Sequence, residues 1–137
     1  MEIIMSEDYG AITVRVYTAG GGLPVEGALV RITGAEEINR AEAHSRITDR
    51  DGLAETVFLP APKRSSSNSP SPSEAPYYIY DVTVSKEGYY KRIIRGVSVF
   101  PAINSVQPVN MIPIGNGNTD SYPRGNIDIT IPDNTTL

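Results

Sequence analysis

An all-β sandwich is the fold class this sequence predicts, and three observations predict it. Apolar and polar residues alternate at period two wherever the pattern is strong. Turn residues recur about every 8–12 positions, the spacing of short sandwich strands. No segment sustains the 3.6-residue period of an amphipathic helix, so helix should be scarce. A chain of 137 residues suits one domain with a core of its own, built from about seven strands.

Each element has its own reason. After a lead over residues 1–9, the strand from Ile12 to Tyr17 sets Ile12, Val14 and Val16 against Thr13, Arg15 and Tyr17. Gly20, Gly21, Gly22 and Pro24 then turn the chain. Ala28, Val30 and Ile32 alternate with Leu29, Arg31 and Thr33 up to Gly34. Residues 36–43 carry Ala, Glu and Arg without a cap signature, and read as a loop or as the extension of an edge strand ending near Thr48. Thr48-Asp49-Arg50-Asp51-Gly52 reads as a hairpin turn, because Asp bonds its own backbone two residues on and Gly supplies a positive φ. A strand from Leu53 to Leu59 follows and ends at Pro60. The strongest strand runs from Tyr77 to Ser85, with Tyr78, Tyr80, Val82 and Val84 on one face. Lys86-Glu87-Gly88 turns into Tyr89–Ile94, then Val97–Phe100 and Val106–Ile112. The sandwich therefore spans residues 10–114.

Two segments stand apart from this core. Residues 60–76 are low-complexity Pro and Ser, and are expected to be a flexible solvated loop. Lengthening a connection from about 4 to about 16 residues costs only about 1.2 kcal/mol, so such a loop persists without a function. Residues 115–137 open on Gly115-Asn116-Gly117-Asn118, a linker composition, and contain one strand-like run. In it Ile127, Ile129 and Ile131 alternate with Asp128 and Thr130 before Pro132. Two readings stay open for that run: an edge strand folding back on its own sheet, or a strand added to another subunit through residues 126–132.

Charge and composition exclude several functions. The net charge is −4 and the pI about 4.9. Basic residues cluster only as Lys63-Arg64 and Lys91-Arg92, too few to hold a phosphate backbone, so no nucleic-acid partner is expected. No stretch approaches the ~18 apolar residues of a membrane span, and the acidic, mostly polar N-terminus does not read as a signal peptide. Cysteine is absent, which removes disulfides and thiolate chemistry and is neutral on compartment.

Four pieces in order over Gly10–Pro113 resemble the carboxypeptidase regulatory-like domain, a prealbumin-like (transthyretin-like) Greek-key β-sandwich related to Cna-B-type modules. They are the Ile12–Tyr17 strand, Pro24-Val25-Glu26-Gly27-Ala28-Leu29-Val30 (P-V-x-G-A-x-V), Thr48-Asp49-Arg50-Asp51-Gly52 (T-D-x-x-G), and Val82-Thr83-Val84-Ser85-Lys86-Glu87-Gly88-Tyr89 (V-x-V-x-x-x-G-Y). The Pro/Ser insertion departs from the pattern. The resemblance implies a non-catalytic bacterial accessory module of the cell envelope, with a structural role or one in binding a protein or cell-wall polymer. Strand addition through the tail is one way it could act. The alternative is a subunit of a larger envelope or phage-like assembly.

The catalytic inventory is thin. His44 is the one histidine, and no G-x-S-x-G elbow presents a serine. Transthyretin-like hydrolases, by resemblance, need several histidines and a C-terminal Tyr-Arg-Gly-Ser motif. Ser121-Tyr122-Pro123-Arg124-Gly125-Asn126 only echoes that motif, and His44 reads as a polar loop residue. No cofactor is expected. Asp49 and Asp51 are the candidate Ca²⁺ ligands, although D-x-D-G lacks the rest of an EF-hand loop and a plain turn also explains it. Cna-B modules often carry an internal Lys–Asn isopeptide bond from an early core strand. Lys63, Lys86 and Lys91 sit elsewhere, so no crosslink is expected. Eight tyrosines stand against two phenylalanines and no tryptophan. Alternation places Tyr77 on the opposite face from Tyr78 and Tyr80, which makes Tyr77 the candidate aromatic partner contact, with ordinary sandwich packing as the other reading.

Overall fold

A computed structural model describes residues 8–63, 76–115 and 126–130, the last five by their backbone. Residues 64–75 of the Pro/Ser stretch lie outside the described residues, as does Ile131. The described strands are β1 (Tyr9–Thr18), β2 (Leu23–Pro24), β3 (Leu29–Gly34), β4 (Ala43–Ile47), β5 (Val57–Pro60), β6 (Tyr78–Ser85), β7 (Lys91–Val99), β8 (Asn104–Asn110) and β9 (Asn126–Thr130).

They form two sheets, as the alternation predicts. In the first, β1 is central: β5 and β2 pair antiparallel with its two ends, and β8 lies parallel along it from Ala11 to Tyr17. The second has the order β4-β3-β6-β7-β9, antiparallel except for the last pair. Between them lie Ile12, Val14, Val16, Val30, Ile32, Val57, Leu59, Tyr80, Val82, Val84, Ile94, Val99, Val109 and Met111, all nearly inaccessible to solvent. Each fully buried aliphatic side chain of this kind contributes about 1.5–3 kcal/mol. The residues expected to face inward on β1, β3 and β6 do so, with Tyr78 half-buried at the rim. Among the described residues no helix is long and apolar enough to cross a membrane.

Several expectations are corrected. The turn at residues 48–52 is not a hairpin, because β4 and β5 belong to different sheets and the turn carries the chain across the sandwich. After it, Leu53 bridges Arg15 and the Ala54 amide donates to the Val14 carbonyl before β5 begins at Val57. Residues 36–43 are not uncapped. They contain a 3-10 turn, Glu37–Asn39, closed by a reciprocal capping box between Glu36 and Asn39. His44 is not in a loop but on β4, opposite Ile32. The two strands expected over residues 89–100 are one strand, β7, with an irregularity where Tyr80 pairs Val97 and Val82 pairs Ile94. Nine strands stand among the described residues: two of the expected seven merge into β7, β2 is new, β4 takes the edge that had been left between loop and strand, and β9 falls in the strand-like run of the tail.

The β7 irregularity explains why Arg95-Gly96 looks like a break. One extra residue on β7 is absorbed as a bulge, with Gly96 at φ 79°. The Gly96 amide donates to Asp81 Oδ1 at 3.2 Å, and Arg95 lies 3.9 Å from the other Asp81 oxygen.

Candidate functional site

Two places collect the polar chemistry of this sandwich. The first is one end, where the stretches that carried the family resemblance meet. Thr48 is 3% exposed. Its hydroxyl donates to the Val25 carbonyl at 2.7 Å and accepts the Ala28 amide at 2.8 Å. The Gly27 amide donates to the Thr48 carbonyl, and the Thr48 amide to the Ala28 carbonyl. Asp49 Oδ1 accepts the amides of Asp51 at 2.9 Å and Leu53 at 3.0 Å. Gly52 presses its Cα so close to the Val16 carbonyl that a methyl group there would overlap it. Lys86 extends over Gly27, where an added Cβ would stand 2.9 Å from Nζ. The Gly88 carbonyl accepts the Ile114 amide. This end is a structural knot.

The candidate Ca²⁺ pair lies within it. Asp49 and Asp51 share the turn, and one Asp49 oxygen is committed to two backbone amides. Among the described residues, no three His, Cys, Asp or Glu side chains converge on one point. His44 Nε2 sits 2.9 Å from Glu42 Oε1, partly exposed. Tyr77 lies just before β6 and packs on Phe100, ring centroids 5.2 Å apart and tilted by 57°. Its face is therefore shared with a neighbour rather than wholly open.

The second place is the β7 edge, and it gathers the tail candidates. β9 runs parallel to β7 in the register Lys91 with Asn126, Arg92 with Ile127, Ile93 with Asp128, Ile94 with Ile129 and Arg95 with Thr130. Within the one chain described, the tail run pairs with its own sheet. Three of the chain's twelve Lys and Arg residues, Lys91, Arg92 and Arg95, fall within this five-residue edge, so it is basic in an acidic protein. Arg92 spans the two sheets, its guanidinium donating to the Asn110 carbonyl on β8. Burial lowers the Arg92 pKa below its usual value, an effect that Tyr17 opposes. Arg92 Nε and Asn110 Oδ1 are buried without a hydrogen-bond partner among the described residues.

A latch missed in the sequence secures the other end of the second sheet. Asn39, 3% exposed, donates from Nδ2 to the Ile79 carbonyl and accepts the Glu36 amide, both at 2.9 Å. Glu36 Oε1 accepts the Ile79 amide at 2.8 Å. Gly34 leaves no room for a side chain against Asn39. The signal lay in Gly34 followed by Glu36-x-x-Asn39.

Comparison with known proteins supports the fold. No family model matches the chain, and no curated protein matches it in sequence. Its structure is similar to part of the TIE protein of Bacillus anthracis, with a TM-score of 0.54 and 14% identity over 78% of this chain and 17% of that one. It is also similar to catechol 1,2-dioxygenase from Acinetobacter sp. ADP1 (TM-score 0.53, 13% identity, 90% of this chain and 59% of that one). A third likeness is 3-chlorocatechol 1,2-dioxygenase from Rhodococcus opacus 1CP (TM-score 0.51, 15% identity, 83% of this chain and 63% of that one). The chain spans less than two thirds of each of these proteins. At such identities the likeness is one of fold, and it brings over neither the dioxygenase chemistry nor any partner.

Proposed function

We propose that this chain is a non-catalytic accessory module of the carboxypeptidase regulatory-like kind, whose work is to hold an extended polypeptide against the β7 edge. The parallel seating of β9 on β7 carries the reading. A parallel neighbour is not delivered by a hairpin, so this edge accepts a strand that arrives from elsewhere in the sequence. Main-chain hydrogen bonds supply affinity in such strand addition, and alternate side chains supply specificity. The four sequence pieces of the family resemblance support the same role, since they build the knot and leave the β7 edge to a partner strand. A structural or protein-binding task in a bacterial envelope follows from that resemblance.

Truncation after Ile114 bares the edge. A fluorescent peptide spanning residues 124–132 should bind the truncated protein and bind the full chain, whose edge is filled, much more weakly. A truncated protein that stays folded but binds no peptide contradicts the proposal.

A further inference from the structure

The edge of the second sheet remote from β9 is β4, and among the described residues β4 pairs only with β3. The Gly34 amide donates to the Glu42 carbonyl, and the Thr48 amide to the Ala28 carbonyl. Directly bonded pairs alternate along an antiparallel ladder, so His44 and Arg46 turn their backbone groups to β3 while Ala43, Ser45 and Ile47 turn theirs outward. No proline or glycine interrupts these five residues. The first sheet is guarded where this one is not. Its edge strand β8 turns Pro108 outward, the amides and carbonyls at odd positions being those that meet β1, and proline has no amide to offer a neighbour.

The side chains of this edge say what kind of strand it accepts. Glu42, His44 and Arg46 share the side that faces the other sheet, His44 paired with Ile32 and Arg46 with Val30, and all three are partly exposed. Glu42 Oε1 meets His44 Nε2, and Arg46 Nη1 donates to the outward Ser45 carbonyl at 2.9 Å, which holds the guanidinium at the edge. Arg46 Nε is buried without a hydrogen-bond partner among the described residues. The nearest carboxylate, Glu55, stands 3.9 Å away and is 85% exposed. An apolar strand laid here would cover that cation without pairing it. A strand that brings an acid opposite Arg46 and a base opposite Glu42 would pair both, and β4 read in reverse is such a strand. On the other side of the sheet, Ala41, Ala43 and Ser45 are small, and Ile47 is 60% exposed.

We infer that β4 pairs antiparallel with β4 of a second copy of this chain, across a two-fold axis at His44. Glu42 of each copy then stands opposite Arg46 of the other, giving two equivalent ion pairs. Ala43 of each copy exchanges backbone bonds with Ser45 of the other, and Ile47 lies across from Ala41, where a small residue leaves room. The contact is the same patch on both copies, so it closes at two. A five-residue edge buries less than the roughly 1,200 Å² of a stable interface, so the dimer is weak and forms as copies are concentrated. This edge lies across the sheet from β9, and the pairing does not depend on the strand-addition reading above.

Sedimentation equilibrium of the full chain between about 10 μM and about 1 mM tests this, and a monomer–dimer equilibrium is the expected result. Glu42→Arg and Arg46→Glu each set like charges opposite one another, and each alone should weaken the dimer at least about tenfold. Mixed in equal amounts, the two variants bring opposite charges together again and should form a heterodimer about as strong as the native dimer. That mixture also shows that both variants are folded. Ser45→Pro removes an outward amide while sparing the β3 ladder, and should abolish the dimer. A native chain that stays monomeric throughout overturns the second copy as the occupant of this edge. So does a dimer that the charge changes leave as strong, or a mixture that associates no better than its components.

Discussion

The Thr48 hydroxyl donates to the carbonyl of Val25, 23 residues earlier in the chain, at 2.7 Å in a buried site. That bond, with the Ala28 amide returning to the same oxygen, ties the P-V-x-G-A stretch to the T-D-x-x-G stretch. Two motifs that look independent in the sequence are one joint in the fold. Thr48→Val keeps the volume and strands a buried amide and a buried carbonyl, so it should cost about 1–3 kcal/mol in urea unfolding. Thr48→Ser keeps both bonds and should cost no more than about 1 kcal/mol.

Gly52 and Gly88 separate backbone strain from crowding. Both have positive φ, 78° and 91°. Nothing lies within 4 Å of a Cβ added at Gly88, whereas at Gly52 the Val16 carbonyl and the Val25 amide stand in the way. Gly88→Ala should cost about 1–2 kcal/mol, the ordinary cost of a left-handed non-glycine residue. Gly52→Ala should cost distinctly more, because its obstacles are backbone atoms that cannot rotate aside. Equal costs in denaturant titration would show that the Val16 approach is looser than described.

The Asn39 latch predicts a local failure. Asn39→Ala removes the acceptor for the Glu36 amide and the donor to the Ile79 carbonyl, and should cost about 1–3 kcal/mol. Because the latch joins the Glu37–Asn39 turn to the start of β6, amide exchange should accelerate at Ile79 and Ala35 before it does so in β1.

Tyr80 gives an alkaline signature. Its hydroxyl donates to the Pro60 carbonyl at 2.7 Å, and burial pushes its pKa well above the ordinary tyrosine value of 10.0. The folded chain then keeps this proton to higher pH than the unfolded chain does. Its contribution is complete below pH 10.0 and declines above that, as the unfolded chain ionises first. Wild-type stability should therefore fall more steeply above that pH than stability of Tyr80→Phe, which has no proton to lose. At neutral pH the same substitution should cost about 1 kcal/mol, the worth of the lost bond.

How much of this was legible in the residues follows from the range of each interaction. The faces of β1, β3 and β6 could be read because period-two alternation is local, and one buried side of a sheet enforces it. Gly96 misled because a glycine bulge and a strand end look alike without the partner strand, and Asp81, which receives the Gly96 amide, is 15 residues away. The Thr48 turn misled for a related reason: Asp and Gly specify the turn, while the sheet each flank joins depends on distant pairings. The seat of β9 was hidden because its neighbour, β7, is separated from it by β8 in the other sheet. Alternation marked the run holding Ile127 and Ile129 as a strand, which β9 is, but it carries no information about which strand it pairs with.

The claim that the β7 edge is a strand acceptor is tested most directly by hydrogen exchange across Lys91–Arg95 in the full chain. Within that segment, the alternate amides facing β9 should be protected in the native protein. In a variant carrying Ile127→Pro and Ile129→Pro, whose tail lacks two backbone donors and cannot keep the register, those amides should exchange at least about tenfold faster. The amides facing β6 should be unchanged. Equal protection of both sets in the two proteins, or no protection toward β9 in the native chain, would contradict the account.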